Sequence, residues 1–250
     1  MDFQILNEKK EYFEKNKHWL PSHIIPEYTD AFEIEYHYHS TAMDGNSFSL
    51  EEVKMVLCDG MTVGEKQLSE LYEIINHKNT YAYIKQCLSE GKVLSEEMIK
   101  EIHRKLTENI SEEVGYRTQE AFISGARHIL PAPNEISSKM NHYYANIEMK
   151  KELNAMKYAA WTHAEFIKIF PFSMANGKTA RMLLNYQLLS KGFLPISIPI
   201  ERQEEYFDCL EKYASDSDLS GFTEMISELE NEQLDQYNWL IEKILYDNKK

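Results

Sequence analysis

The chain has 250 residues, of which 43% are hydrophobic and 27% are charged, as is typical of a soluble globular protein. Its 9 glycines and 7 prolines are too few for a collagen-like or low-complexity chain. The formal net charge of −14 at pH 7 argues against direct binding to bare nucleic acid or to an anionic membrane surface. No apolar run approaches the length of about 18 residues that a membrane span needs, so none is expected.

Cysteine usage and the start of the chain indicate a compartment. Cys58, Cys87 and Cys209 lie far apart and form no CxxC pair, which argues against a disulfide framework and against a zinc site. The first residues, Met-Asp-Phe-Gln, contain no basic stretch followed by an apolar one, so no signal peptide is expected. These features together predict a cytoplasmic protein.

Helical periodicity dominates the chain. Ser49, with Glu52 three residues later, forms a capping box, and Ser95 is a second N-cap candidate. Gly45 suits the left-handed position just past a helix end. The predicted helices span residues 1–20, 28–43, 49–58, 62–88, 95–106, 134–149, 151–169, 178–191, 203–214 and 222–246.

One β element is predicted, between Gly115 and Pro133. Residues 121–124 and 128–130 are short apolar runs on either side of Gly125-Ala-Arg, which is a pattern typical of a hairpin. The sequence therefore predicts a mostly α fold with a single β-hairpin.

The strongest chemical signal lies between Phe166 and Asn185. A helix ends at Pro171, a loop of small residues follows, and a new helix begins near Lys178. The unpaired N–H groups and the dipole of such a helix start favour an anion. Arg181 shares a helix face with Lys178. Two interpretations are open, a phosphate-binding site or an ordinary helix–loop–helix corner with a solvated basic pair.

The same segment resembles the signature of the Fic (Fido) family, His-Pro-Phe-x-Asp/Glu-Gly-Asn-Gly-Arg-x-x-Arg. This chain has Phe-Pro-Phe-Ser-Met-Ala-Asn-Gly-Lys-Thr-Ala-Arg over residues 170–181. Three further segments agree in order: residues 115–133 resemble the family's flap hairpin, 188–206 resemble the stretch after the signature, and 40–46 are similar to its inhibitory motif. The resemblance covers roughly residues 36–230.

This resemblance implies a Fic-type helical bundle with one β-hairpin flap. The flap residues of this chain are Ile123, Ser124, Gly125 and His128. The implied regions are an N-terminal helical region with the inhibitory motif at 1–60, a Fic core at 61–230 and a C-terminal helix extension at 231–250.

Fic proteins mostly transfer AMP from ATP to a hydroxyl side chain of a target protein, with the motif His as general base and the Asp/Glu as metal ligand. Here Phe170 stands at the His position and Met174 at the metal position. The resemblance therefore assigns no certain catalytic residue, and it implies that Mg²⁺ binding is weak or absent, because a thioether is a poor ligand for a hard cation. The residues implied to contact ATP or another nucleotide are Asn176, Gly177, Lys178 and Arg181.

The inhibitory motif supplies Ser40 and Asp44, where the family has Ser/Thr and Glu. The resemblance implies that Asp44 pairs with Arg181 and blocks the outer phosphate. Alternatively, Asp44 only helps to end its helix beside Gly45. Because aspartate is one methylene shorter than glutamate, a direct pair requires a closer helix or a bridging water.

Other histidines have less specific interpretations. His163 lies two helical turns before Phe170 and could replace the base, but packing in the interior is the favoured interpretation because about 10 Å of helix rise separates the two. His37 and His39 are predicted to lie on a solvated helix face. His128 is predicted to lie at the hairpin surface.

Several functions remain open at this stage. The first is an adenylyltransferase-like protein that is impaired in the usual chemistry and retains nucleotide or phosphate binding. The alternatives are an active transferase or phosphotransferase with altered chemistry, and a purely protein-binding regulatory module. The implied partners are a target protein and a nucleotide, with a homodimer left open.

Overall fold

The computed structural model describes residues 3–22, 24–62, 64–113, 115–123 and 125–247. Within these ranges the prediction of a mostly α protein is confirmed. The helices are α1 Phe3–Asn16, α2 Ile24–Ala42, α3 Leu50–Lys54, α4 Leu68–Ser89, α5 Glu96–Leu106, α6 Pro133–Lys150, α7 Ala155–Ile169, α8 Asn176–Ser190, α9 Gln203–Asp216 and α10 Ser220–Asp247. A π-helical turn at Met55–Asp59 continues α3, and single 3-10 turns lie at Lys17–Trp19 and Ile200–Arg202.

Helices α7 and α8 form the centre of the fold. They pack on each other, α8 also contacts α2, α4 and α5, and α7 contacts α6, α9 and α10. Most side chains of both helices are buried, as expected for helices covered on several faces. Buried polar groups need partners. The polar side chains in the first turns of α8 must therefore find theirs in the preceding loop or on neighbouring helices.

The segment after α2 is held in place by a small apolar cluster and by hydrogen bonds to α4. Phe48, Val53 and Ile74 form this cluster. Asn46 Nδ2 donates to the Glu70 carbonyl oxygen at 3.0 Å. The chain immediately after α2 is thus fixed against α4. Among the helices of the described ranges, none has both the length and the apolar character needed to cross a membrane.

The predicted β-hairpin is not formed in the structure. The described part of residues 115–133 contains no strand, and Ser124 lies outside the described residues. A turn is present, since the Ala126 N–H donates to the Ile123 carbonyl oxygen at 3.1 Å. The described residues on either side of Gly125 therefore form an irregular loop.

The backbone groups of this loop form hydrogen bonds with side chains, and not with a neighbouring strand. Glu211 Oε1, on α9, accepts from the N–H groups of Arg127 and His128, both at 3.0 Å. Arg117 donates to the carbonyl oxygens of Gln119 at 2.9 Å and Pro131 at 2.6 Å. These backbone groups are therefore satisfied without cross-strand pairing.

Candidate functional site

The loop between α7 and α8 has a compact, hydrogen-bonded shape. Phe170 ends α7 with a φ of 50°, and Ala175 precedes α8 with a φ of 56°, so two non-glycine residues adopt left-handed conformations. Asn176 Oδ1 accepts from the Phe172 N–H at 3.0 Å, and its Nδ2 donates to the Phe172 carbonyl oxygen at 2.8 Å. The Asn176 side chain thus closes the loop at the start of α8.

A carboxylate lies at the start of α8, where the sequence predicts an anion. Asp44 Oδ2 is 3.1 Å from Lys178 Nζ, and its Oδ1 is 3.0 Å from Arg181 Nη2. A Cβ atom placed on Gly177 would lie only 2.7 Å from Asp44 Oδ1. The contact expected between Asp44 and Arg181 is therefore present and direct, whereas its inhibitory role stays a prediction.

The charges of this site stabilise each other. Burial raises the pKa of the Asp44 carboxyl, but the positive charges of Arg181 and Lys178 outweigh that effect and hold the pKa below its usual value. Burial lowers the pKa of Arg181, but the charge of Asp44, together with the neighbouring Tyr206 and the hydrogen bonds to both, raises it above its usual value. Asp44 and Arg181 are therefore both charged at neutral pH.

A second carboxylate, Glu73 on α4, joins the site. Its Oε1 is 3.4 Å from Lys178 Nζ, and its Oε2 accepts from Asn46 Nδ2 at 2.9 Å. No sequence pattern distinguishes Glu73 from the other acidic residues of an amphipathic helix. Its position becomes apparent only when α4 is packed against α8.

Arg181 is held by groups of α2 and α9 in addition to Asp44. Its Nε donates to Ser40 Oγ at 2.8 Å and its Nη2 to the Ser40 carbonyl oxygen at 2.7 Å. Its Nη1 donates to the Tyr206 hydroxyl at 3.4 Å. The structure thus brings together Ser40, Asp44 and Arg181, and it adds Tyr206, which sequence reasoning missed.

Two buried histidines continue this network away from Arg181. His77 Nε2 is 2.8 Å from Ser40 Oγ, and His77 Nδ1 is 2.8 Å from His37 Nδ1. The expectation of a solvated face is wrong for His37, which is 1% exposed, because α4 covers that side of α2.

Both imidazoles of this pair are uncharged at neutral pH. Burial, followed by the charges of Lys78 and Lys85, lowers the pKa of His37 to about 3. Burial, followed by the neighbouring His37, holds the pKa of His77 well below its usual value. The pair therefore supports Ser40 through neutral hydrogen bonds.

His163 occupies the interior position that the sequence favours for it. Its side chain is fully buried, and its Nε2 is 2.9 Å from the Tyr206 hydroxyl. Burial, followed by the charge of Arg181, holds the pKa of His163 well below its usual value. The imidazole thus orients Tyr206, and it lies beneath the site rather than in the loop.

The Phe170–Met174 end of the loop is bound mainly through its backbone. Arg117 Nε donates to the Phe170 carbonyl oxygen at 2.9 Å, and the Arg117 backbone N–H donates to the Pro171 carbonyl oxygen at 2.9 Å. His103 Nε2 lies 3.2 Å from the Met174 carbonyl oxygen. Across the residues that the structure describes, no group of three or more His, Cys, Asp or Glu side chains is arranged to bind a metal.

The loop that contains Ile123, Gly125 and His128 is attached to α9. His128 Nδ1 is 2.8 Å from Glu211 Oε2, so His128 is fixed rather than free at the surface. Two apolar side chains of the loop project into solvent, Phe122 at 90% and Ile129 at 94% exposure.

Comparisons with known proteins agree with this architecture. The model of the Fic/DOC family matches residues 93–188. The protein adenylyltransferase Fic of Aedes aegypti is 30% identical over 211 residues, which cover 82% of this chain and 42% of that protein. The chain thus spans about two fifths of the length of this curated relative.

Solved structures show the same fold. A Fic domain containing signaling protein from Bacteroides thetaiotaomicron superposes with a TM-score of 0.84 at 23% identity, covering 94% of this chain and 97% of the other. Fic-1 from C. elegans superposes with a TM-score of 0.83 at 23% identity, covering 96% of this chain and 72% of the other. The family match, the curated relative and the shared helical fold lead to one conclusion: the chain belongs to the Fic (Fido) family.

Proposed function

We propose that this protein is an adenylyltransferase-like Fic protein that binds ATP, or another nucleotide or phosphate compound, at the start of α8 and is impaired in the usual AMP transfer. The observation that carries the proposal is the Asp44 carboxylate between Lys178 and Arg181. An anion already lies where a phosphate group would bind, and Gly177 leaves the room for it.

In the proposed binding mode, a phosphate group replaces the Asp44 carboxylate. Arg181 would then offer its planar guanidinium to the phosphate oxygens, while Lys178 would act as a point charge. Asn176 keeps the loop closed, so the first N–H groups of α8 stay directed at the ligand. Bound ATP would supply the AMP group that the family transfers.

The proposed impairment follows from the other end of the loop. The phenyl ring of Phe170 cannot accept a proton, and general-base catalysis is commonly worth about 10²–10⁴ in rate. The thioether of Met174 does not suit Mg²⁺. Neither nearby histidine is placed to substitute, because His103 Nε2 faces the Met174 carbonyl oxygen and His163 Nε2 faces the Tyr206 hydroxyl.

The finer proposal for the 115–132 segment is that it acts as the flap even though it forms no strand. Arg117 ties this segment to the backbone of the motif loop, and Glu211 ties it to α9. Phe122 and Ile129 would then contact the target protein, because their exposed apolar surface flanks the site of attachment.

Calorimetric titration of ATP, with and without Mg²⁺, tests the binding proposal. We expect Asp44→Ala to bind ATP at least about tenfold more tightly than wild type, the equivalent of 1.4 kcal/mol, because the competing carboxylate is gone. Asp30→Ala, which removes an exposed aspartate from α2, the helix that precedes Asp44, is the matched control. Asp44→Ala combined with Arg181→Ala should lose the gain.

A purely protein-binding module is the second candidate function. It is favoured by the closed state of the site, in which Asp44 holds both Lys178 and Arg181. Absence of ATP binding to Asp44→Ala, with the fold intact by circular dichroism, would favour this second function over the first.

A further inference from the structure

Glu73 contacts Lys178 in the site, and the pairing of Asp44 with Arg181 does not explain this contact. We propose that Glu73 is a second, permanent acidic group of the anion site, which neutralises Lys178 and so lowers the affinity of the site for phosphate groups. This inference rests on the proposed binding of a phosphate compound at α8.

The Glu73 carboxylate contacts both Lys178 and Asn46, and Asn46 belongs to the same loop as Asp44. One oxygen lies 3.4 Å from Lys178 Nζ, and the other accepts from Asn46 Nδ2 at 2.9 Å. The Lys178 side chain is 6% exposed and the Glu73 side chain 19% exposed. Solvent therefore screens this pair less than a surface pair.

Glu73 is also held rigidly. Asn46, its second partner, donates to the Glu70 carbonyl oxygen at 3.0 Å and accepts from the Phe48 N–H at 3.1 Å. Glu73 itself belongs to the 22-residue helix α4, which packs against α8. The carboxylate is thus positioned by a helix and by an anchored asparagine, and not by a free loop.

The two carboxylates differ in what happens when an anion binds. Asp44 has a short side chain just past the end of α2, and rotation of that side chain moves the carboxylate away from the anion position while the backbone stays fixed against α4. Glu73 lies in the middle of α4, and Asn46 holds its second carboxylate oxygen. After Asp44 leaves, Glu73 remains paired with Lys178 and competes with the incoming anion for the ammonium group.

Lys178 and Arg181 therefore contribute unequally to the proposed binding. Arg181 loses its only ion-pair partner within the described residues when Asp44 leaves, whereas Lys178 keeps Glu73. Glu73 thus reduces the positive charge available to the ligand from two cations to nearly one. Glu73 is a positioning residue, because it acts on the ligand through Lys178.

A charge-only substitution separates this role from a structural one. Glu73→Gln keeps a carbonyl oxygen that can accept from Asn46 and removes only the negative charge. If the role of Glu73 is only structural, Glu73→Gln will lower the melting temperature and leave the ATP affinity unchanged. The proposed role predicts tighter ATP binding, whatever happens to the melting temperature.

The experiment is calorimetric titration of ATP into the full chain carrying Asp44→Ala, with and without Glu73→Gln. We expect Glu73→Gln to tighten binding about tenfold, the equivalent of 1.4 kcal/mol. The same substitution should have no effect when Lys178→Ala is also present, because the competition between Glu73 and the ligand is for the Lys178 ammonium group. Glu242→Gln, an exposed change of equal charge on α10, should leave affinity within twofold.

The outcomes separate the two proposals. Affinity unchanged by Glu73→Gln while Asp44→Ala binds ATP tightly overturns the role of Glu73 and leaves the proposed function standing. Equal tightening with Lys178 and with Lys178→Ala also overturns it. No ATP binding by any variant overturns the proposed function and this inference together.

Discussion

The two ends of the loop between α7 and α8 are attached to the protein in different ways. At the α8 end, Lys178 and Arg181 are bound through their side chains, in ion pairs with Asp44. At the α7 end, Phe170 and Met174 are bound through their carbonyl oxygens, which accept from neighbouring side chains. The contacts at the first end are made by the side chains of Lys178 and Arg181, whereas Phe170 and Met174 contribute backbone groups at the second. Phe172, which lies between these two, is buried and stacks on His103 with 3.7 Å between the ring centroids.

This difference explains how the signature can change unevenly within one fold. A backbone carbonyl accepts the same hydrogen bond whichever side chain its residue carries, so the residues at positions 170 and 174 can change while these two attachments are kept. Removing one partner of a buried ion pair instead leaves an uncompensated charge, which is strongly destabilising. The proposed anion site and the proposed loss of the general base are thus consistent with the packing around each end.

The largest expected effect concerns catalysis at the α7 end. We expect wild-type protein to transfer no detectable AMP from labelled ATP to itself or to lysate proteins. Phe170→His with Met174→Asp and Asp44→Ala should raise the rate by at least ~10², the lower range of general-base contributions. Labelling that survives denaturation, measured by gel autoradiography, is the readout.

The same assay can contradict the proposed contrast between the α7 end and the α8 end of the loop. Strong labelling by wild type that disappears in Lys178→Ala would show that the α7 end supports chemistry without its usual residues. Lys178→Ala in the substituted protein serves as the binding-deficient control, because it leaves the introduced His and Asp unchanged.

A smaller effect is expected from the arginine that binds the α7 end. Arg117 is 5% exposed and donates to the carbonyl oxygens of Phe170, Gln119 and Pro131. Arg117→Ala should lower the free energy of unfolding by about 2–3 kcal/mol, because three backbone carbonyl groups lose a charged donor. Urea unfolding measures it.

Arg127→Ala is the matched control for this change, since the Arg127 side chain is 85% exposed. It should stay within about 0.5 kcal/mol of wild type. If Arg117→Ala is equally mild, the backbone attachment of the α7 end does not depend on this arginine, and the contrast between the two ends loses its basis.

Periodicity and capping chemistry predict most of the fold. The capping box of Ser49 and Glu52 is present, and Ser95 caps α5 by accepting from the Met98 N–H. The start of α7 was less predictable, because Asn154 accepts from the N–H groups that follow it and moves the helix start to Ala155. The predicted hairpin is not shown by the described residues of 115–133, whose backbone groups pair with side chains instead. The apolar pattern carries no information about such long-range donors and acceptors.

The site was predictable only where residues lie close together in the sequence. The pair formed by Lys178 and Arg181 follows from helical spacing, and the partner Asp44 follows from the family resemblance. Glu73 and Tyr206 reach the site through tertiary packing of α4 and α9, which leaves no periodic signal. The prediction that His37 is solvated was wrong for the same reason, since only its helix partner buries it.

The buried histidines give the α8 end a pH dependence. Folded pKa values of His37 and His77 lie below the unfolded value of about 6.5, so the unfolded state binds more protons between these values. Stability should therefore fall as the pH drops below 6.5, by up to about 1.4 kcal/mol per pH unit for each histidine.

Urea unfolding between pH 4.5 and 6 measures this slope. His37→Gln should reduce the slope of the unfolding free energy against pH by about 1 kcal/mol per pH unit. The reason is that the substitution removes one imidazole that is neutral when folded and protonated when unfolded at these pH values. His142→Gln removes an exposed histidine and serves as the control for composition. Parallel curves for wild type and His37→Gln would contradict the prediction.

The smallest expected effect is the most direct probe of the space at the start of α8. A Cβ atom on Gly177 would lie 2.7 Å from Asp44 Oδ1 and 3.0 Å from Arg181 Nη1. Alanine is favoured over glycine in a helix by up to about 1 kcal/mol. In wild type, the collision with the carboxylate should outweigh this preference and make Gly177→Ala slightly destabilising.

The sign should reverse when Asp44→Ala is present. The carboxylate is then absent, the long Arg181 side chain can shift by a few tenths of an ångström, and the helical preference of alanine makes Gly177→Ala stabilising by up to about 1 kcal/mol. ATP affinity should fall in the same variant, because the new methyl group occupies the space proposed for a phosphate oxygen. Thermal unfolding of the four proteins of this cycle measures the reversal. The same sign in both backgrounds would mean that Asp44 does not occupy the anion position beside Gly177.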